Sequence, residues 1–272
     1  MRAFASLMIA AATLTVAPML HAAEAKRAKP TESSTTSSAI AVAVAAPGRT
    51  PANALRDRYR HPAETLSFFG VKPTDTVLEL FPGGGWYAEI LVPLLAKQGQ
   101  YIGAAPDAES LTKLQTKLAT IPGATHAPKA IAWPAGAAIP VGSVDTVLTF
   151  RNVHNLVMNN TAGADFAEFF RVLKPGGTLG IVDHRLPDNR DTALEKTSGY
   201  LKVSTVRKLA EDAGFVLEAQ SEVNANPRDS ADWPKGVWTL PPTLELGATD
   251  RDKYLAIGES DRMTLRFRKP AG

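Results

Sequence analysis

Ten residues, Val77-Leu78-Glu79-Leu80-Phe81-Pro82-Gly83-Gly84-Gly85-Trp86, constrain this chain more than any other stretch. Val77 to Phe81 is a compact apolar run of the kind that forms a buried strand. Consecutive glycines follow, and then a helical run from Trp86 to Leu95. Glycines let a backbone approach a ligand closely and adopt conformations that side chains forbid. Placed between a strand's carboxyl end and a helix N-terminus, they outline a nucleotide-sized crevice. Glu79 is an acid inside an otherwise apolar strand. Burial without donors would be costly, so loop amides or a ligand are expected to meet it. The alternative is a tight strand–helix turn that holds no ligand. Gly83, Gly85 and Ala88 also satisfy the dinucleotide pattern G-x-G-x-x-G/A, with Asp107 about twenty residues further on.

Beyond this window, strand and helix patterns alternate. A short helix is expected over Pro62 to Phe69, ended by Gly70. Tyr101 to Ala105, Lys129 to Trp133, Asp145 to Phe150, Thr178 to Asp183 and Phe215 to Ser221 read as further strands. Leu111, Leu114 and Leu118 mark one amphipathic helix, and Phe166, Phe169, Phe170 and Leu173 another. Ser204 is placed to cap a helix running to Ala213. Met263 to Lys269 alternates apolar and basic residues, as a late edge strand does, with Arg262, Arg266 and Arg268 on a solvated face. This alternation predicts a mostly parallel sheet covered on both faces.

A second motif, Leu173-Lys174-Pro175-Gly176-Gly177 directly before the fifth strand, sharpens the reading. Together with the glycine loop and the Asp145-led fourth strand, in this order and spacing, it resembles the class I S-adenosylmethionine-dependent methyltransferases. Phe81 to Tyr87, Phe150-Arg151-Asn152-Val153-His154-Asn155 and Asp261-Arg262 to Lys269-Pro270 are similar to an exported bacterial group of predicted methyltransferases. The resemblance covers about Ala52 to Pro270. It implies a Rossmann-like α/β fold: a seven-stranded, mostly parallel sheet, last strand antiparallel, helices on both faces, and S-adenosyl-L-methionine across the carboxyl ends of the first strands. Cofactor contacts are then expected from Glu79, Gly83, Gly84 and Gly85. Phe81 replaces the family's first loop glycine, and Ala105 stands where the ribose-binding acid belongs, which leaves Asp107 as its substitute. Trp133 is the candidate to stack on the base.

Methyl transfer from a sulfonium needs alignment and exclusion of water, and a base only when the acceptor arrives protonated. Arg151, Asn152 and His154 after the fourth strand, with His184 at the end of the fifth, are the candidate catalytic residues; Asp183 precedes His184 on the same rim. His154 or His184 would take an acceptor proton and Arg151 would bind an acidic group. The alternative makes Asn152 and His154 loop caps and His184 a surface residue. The histidines lack metal-ligand spacing, so no metal site is expected. Asn226-Pro227, with Trp233 and Trp238, reads as a covering loop between the last strands, for which ordinary packing is favoured over closure on an acceptor.

The ends and the charge set the context. Met1-Arg2, the apolar run Ala3 to Leu20 and the small residues Ala22, Ala23 and Ala25 form a signal peptide over residues 1–25. Export to the periplasm or beyond suits a chain with no cysteine. Residues 26–51, rich in Ala, Ser, Thr, Lys and Pro, read as a disordered linker, so that the methyltransferase-like domain spans 52–270. No membrane span is expected after signal cleavage. A formal net charge of +3 without a basic run argues against a nucleic-acid partner, and a small-molecule or lipid-linked acceptor is expected. A non-catalytic binding module on the same fold and an NAD(P)-dependent oxidoreductase are the competing readings.

Overall fold

A computed structural model describes residues 32–122 and 126–272. The expected signal peptide, and the linker as far as Thr31, lie outside the described residues. Helices α1 (Glu32–Val44), α2 (Pro51–Ala54), α3 (Asp57–Arg60) and α4 (Pro62–Phe69) precede the first strand. There follow β1 (Thr76–Leu80), α5 (Ala88–Leu95), β2 (Gln100–Ala105), α6 (Ala108–Ala119), β3 (Lys129–Ala132) and β4 (Val144–Phe150). The chain continues through α7 (Val153–Met158), α8 (Ala162–Val172), β5 (Leu173–His184), α9 (Val203–Asp212), β6 (Val216–Ser221), α10 (Arg251–Ile257) and β7 (Arg262–Arg268).

The strands form one seven-stranded sheet in the order β3-β2-β1-β4-β5-β7-β6. All pairings are parallel except those of β7, which runs antiparallel to β5 and to β6. The central strands are buried on both faces, which is why they read as unbroken apolar runs. On one face Phe166, Phe169 and Val172 of α8 pack with Val206 and Ala210 of α9. On the other, Leu66 and Phe69 of α4 pack with Ile90, Leu91 and Leu95 of α5. The Lys174-Pro175-Gly176-Gly177 turn lies within the extended run of β5 as a bulge against β4. A Cβ on Gly177 would stand 2.8 Å from the Lys174 carbonyl oxygen, so only glycine fits this close backbone approach.

Three expectations are corrected. Residues 32–44 of the expected linker are helical, and Ile40 and Ala43 are buried against α4 and α5. Their small apolar stripe, in a mostly Ala and Ser segment, escapes a compositional reading. Second, the α9 N-cap is Lys202, and Ser204 lies inside the helix without a capping bond. Third, β7 is not an edge strand: it is threaded between β5 and β6. Its arginines are accordingly not a solvated face. Arg262 is buried and paired with Glu259, while Arg266 and Arg268 pair with Glu218 on β6. No helix among the described residues is long and apolar enough to cross a membrane.

Candidate active site

The carboxyl ends of β1, β2 and β4 open on a cleft of about 390 Å³. Its walls include Phe81, Pro82 and Gly83 from the loop after β1, Ala105 and Pro106 after β2, and Ser110 and Lys113 of α6. Asn152 and the α7 side chains Asn155 and Asn159 complete it. A Cβ on Gly83 or Gly84 would meet nothing within 4 Å, so the loop backbone borders open space, and Gly83 takes a φ of +58°. Gly85 has a different task. A Cβ there would press on the Lys117 stem at 2.8 Å, so Gly85 admits α6 rather than a ligand. Lys117 then reaches Glu89 at the start of α5, where Thr50 and Asn53 also donate.

Phe81 stands where the resemblance calls for glycine, and its φ of 47° explains the preference. The ring lines the cleft without filling it. Trp86 also leaves the cleft free: its Nε1 donates to the Asn53 carbonyl oxygen at 2.8 Å, and its ring stacks beneath Arg49 and Arg60.

Glu79 is buried beneath the loop, and its Oε2 accepts from the Tyr101 hydroxyl of β2 at 2.7 Å. Burial raises the Glu79 carboxyl to about 8, against which the Tyr101 hydrogen bond works only partly. The acid therefore braces β1 against β2 from within the sheet. Asp107 is exposed and caps α6, accepting from the Ser110 amide at 2.8 Å and the Ser110 hydroxyl at 3.0 Å. Those two bonds hold its carboxyl below the usual range. Trp133 does not reach the cleft: it is buried against Phe169 and donates to Asp165 at 2.6 Å. The base-stacking expectation for it is thereby corrected.

A second, smaller cavity of about 200 Å³ adjoins the first. It is lined by Arg151, His154, His184 and Ser260, with Val237 and Trp238 from the β6–β7 connection, and Asn155 borders both cavities. Asp183 organises this cavity from behind. Fully buried at the end of β5, it accepts from the His154 ring Nδ1 at 2.8 Å, the His154 amide at 3.1 Å and the His184 amide at 2.7 Å. An aspartate acceptor places the proton on His154 Nδ1 and leaves Nε2 for the cavity. His184 is buried too, with Nδ1 2.5 Å from the Ser260 hydroxyl oxygen. Burial, then the neighbouring His154, Arg151, Arg262 and Arg60, push His184 well below its ordinary value, so it stays neutral.

Asn152 points the other way: its amide donates to the carbonyls of Leu80, Phe81 and Phe150, tying the glycine loop to β4. Arg151 has a φ of 61° and lines this cavity. The covering connection is fastened by Asn226, which donates to the carbonyls of Ile257 and Glu259. Sequence reasoning missed Tyr101, Ser110, Lys113, Asn159, Glu259 and Ser260. Only Glu79's need for a donor signalled any of them.

The fold is that of the class I methyltransferases, with β7 antiparallel between β5 and β6. That insertion departs from the all-parallel dinucleotide-binding order. No family model and no curated protein matches the chain. Solved structures do. A SAM-dependent methyltransferase from Aquifex aeolicus superposes with a TM-score of 0.56 at 18% identity, covering 81% of this chain and 94% of that one. The cyclase SpnF superposes at 0.53 and 17% identity, covering 89% and 97%. An arsenic(III) S-adenosylmethionine methyltransferase from Chlamydomonas reinhardtii gives 0.51 at 15%, covering 85% and 73%. At such identities the likeness establishes the fold.

Proposed function

We propose that this protein is an S-adenosylmethionine-dependent methyltransferase acting on a small-molecule or lipid-linked acceptor. The observation that carries the reading is the pair of cavities meeting at Asn155, one walled by the glycine loop and the other by a carboxylate-oriented histidine. The cofactor fits the first in kind, because the backbone of Gly83, which lines the cleft, faces space that a Cβ would fill. When bound there, it supplies an electrophilic methyl group. The chain's own residues supply alignment and a proton acceptor: Ser110 and the asparagines of α7 hold polar groups, and His154 Nε2 takes the acceptor's proton. Asp183 stabilises the imidazolium so formed, as the orienting acid of a triad does. We further read the chain as exported by its N-terminal segment, which N-terminal sequencing of the mature protein from periplasmic fractions tests.

The competing reading is a binding module that keeps the fold without the reaction. It is favoured by the cleft lining, which among the described residues includes no carboxylate for ribose hydroxyls, and by the cyclase's use of the same fold. Calorimetry with S-adenosylhomocysteine separates the two. Saturable binding, weakened at least tenfold by Gly83→Val, supports the methyltransferase. No binding at millimolar concentration sinks it.

A further inference from the structure

The wall shared by the acceptor cavity and α3 holds an unusual charge arrangement. Glu259 lines the cavity and is salt-bridged to Arg56 at 2.6 Å, Arg60 at 3.2 Å and Arg262 at 3.1 Å. Arg60, Arg262 and Glu259 are only 3–4% exposed. Arg151 lines the same cavity and also a narrow crevice that Arg60 and Arg262 line with it. Four guanidiniums therefore act on one another here, against the carboxylates of Glu259 and, across the cavity, Asp183. Counter-charge is short, and so are acceptors. One terminal nitrogen each of Arg56 and Arg60, and Nε of Arg262, are buried without a partner. Burial and the neighbouring guanidiniums lower Arg60 to about 9 and Arg151 to about 10, with Glu259 opposing both shifts. Buried positive charge in excess of its partners is costly unless a ligand completes it.

We infer that the acceptor is an anion, whose carboxylate or phosphate group docks on Arg151 while its methyl-accepting atom lies at His154. This deepens, and rests on, the methyltransferase reading. Arginine's planar fork suits either oxyanion. The volume of about 200 Å³ admits a small molecule or the head of a larger one. The same field answers the rival use of this cavity. His154, Asp183 and His184 place potential ligand atoms within 4.8 Å of one another, as a metal site would. Yet both Asp183 oxygens are already engaged by N–H donors, and the adjacent guanidiniums repel a cation.

Trp238 lines the cavity, so its fluorescence reports occupancy. The whole protein would be titrated with benzoate, inorganic phosphate, benzamidine and zinc chloride at constant ionic strength, with and without S-adenosylhomocysteine. The expected result is a saturable change with benzoate or phosphate, absent in Trp238→Phe, and weakened at least tenfold in Arg151→Gln. Benzoate binding without phosphate marks a carboxylate acceptor, and the converse a phosphate. Equal or tighter binding of benzamidine or zinc overturns the inference, as does a lack of any saturable anion effect in the wild type. The arm without S-adenosylhomocysteine reads the anion site independently of cofactor binding. Failure of the cofactor to bind would thus be distinguished from failure of the anion site.

Discussion

Glu79 shows how one side chain can be legible and misplaced at once. Its position in an apolar strand demanded a donor, and the structure supplies one, but from Tyr101 on the neighbouring strand rather than from the loop. No local pattern links those two residues, because they become neighbours only when β1 pairs with β2. The carboxyl has a folded value of about 8 against an ordinary 4.5, so between those values the folded state holds a proton that the unfolded chain has released. Stability should therefore fall as pH rises through this window, with a slope approaching ~1.4 kcal/mol per pH unit from this group. Urea unfolding of wild type and Glu79→Gln between pH 5 and pH 8 checks it, both pH values being about the limits of that window; parallel curves would refute it. Asp183 lends itself to a second test. It accepts three N–H bonds while fully buried, so in Asp183→Asn one face of the amide presents donors to donors. A loss of about 1–3 kcal/mol is expected in denaturant melts.

At the level of elements, strands and their order were read more readily than their surroundings. Apolar runs locate β1, β2, β4 and β5 to within a residue or two at most ends, since burial on both faces leaves little room for polar residues. The start of β5 is the exception: it takes in the Lys-Pro-Gly-Gly turn, whose pairing is a matter of backbone geometry. The antiparallel direction of β7 was implied by family resemblance, but its place between β5 and β6 was not, because an alternating pattern looks alike at an edge and inside a sheet. Helix α1 was the main omission. Its composition resembles a tether, yet Ile40 is fully buried. Ile40→Ala should cost about 2–5 kcal/mol in chemical denaturation; a change near zero would return the segment to linker status.

Over the whole molecule, the cluster around Glu259 joins the helices ahead of the sheet to the connection after β6, residues some 200 positions apart, as the Arg56–Glu259 separation of 203 shows. Burial alone would push this carboxyl up; Arg262, Arg60, Arg56 and Arg151 together outweigh it and bring it down to about 2. Its contribution to stability is thus present above the ordinary 4.5 and disappears as pH falls from there through about 2. Glu259→Gln strands the guanidiniums and should destabilise the fold by about 3–5 kcal/mol at neutral pH, measured by guanidinium titration. Partners this distant in the chain leave no trace in periodicity, which is why the cluster could not be anticipated. Asn155 carries a different consequence of long-range assembly. It lines both chambers, whose occupancies belong to one thermodynamic cycle. Whatever factor the first guest imposes on the second, the second must return to the first, so the order of arrival cannot alter the total free energy of the ternary state.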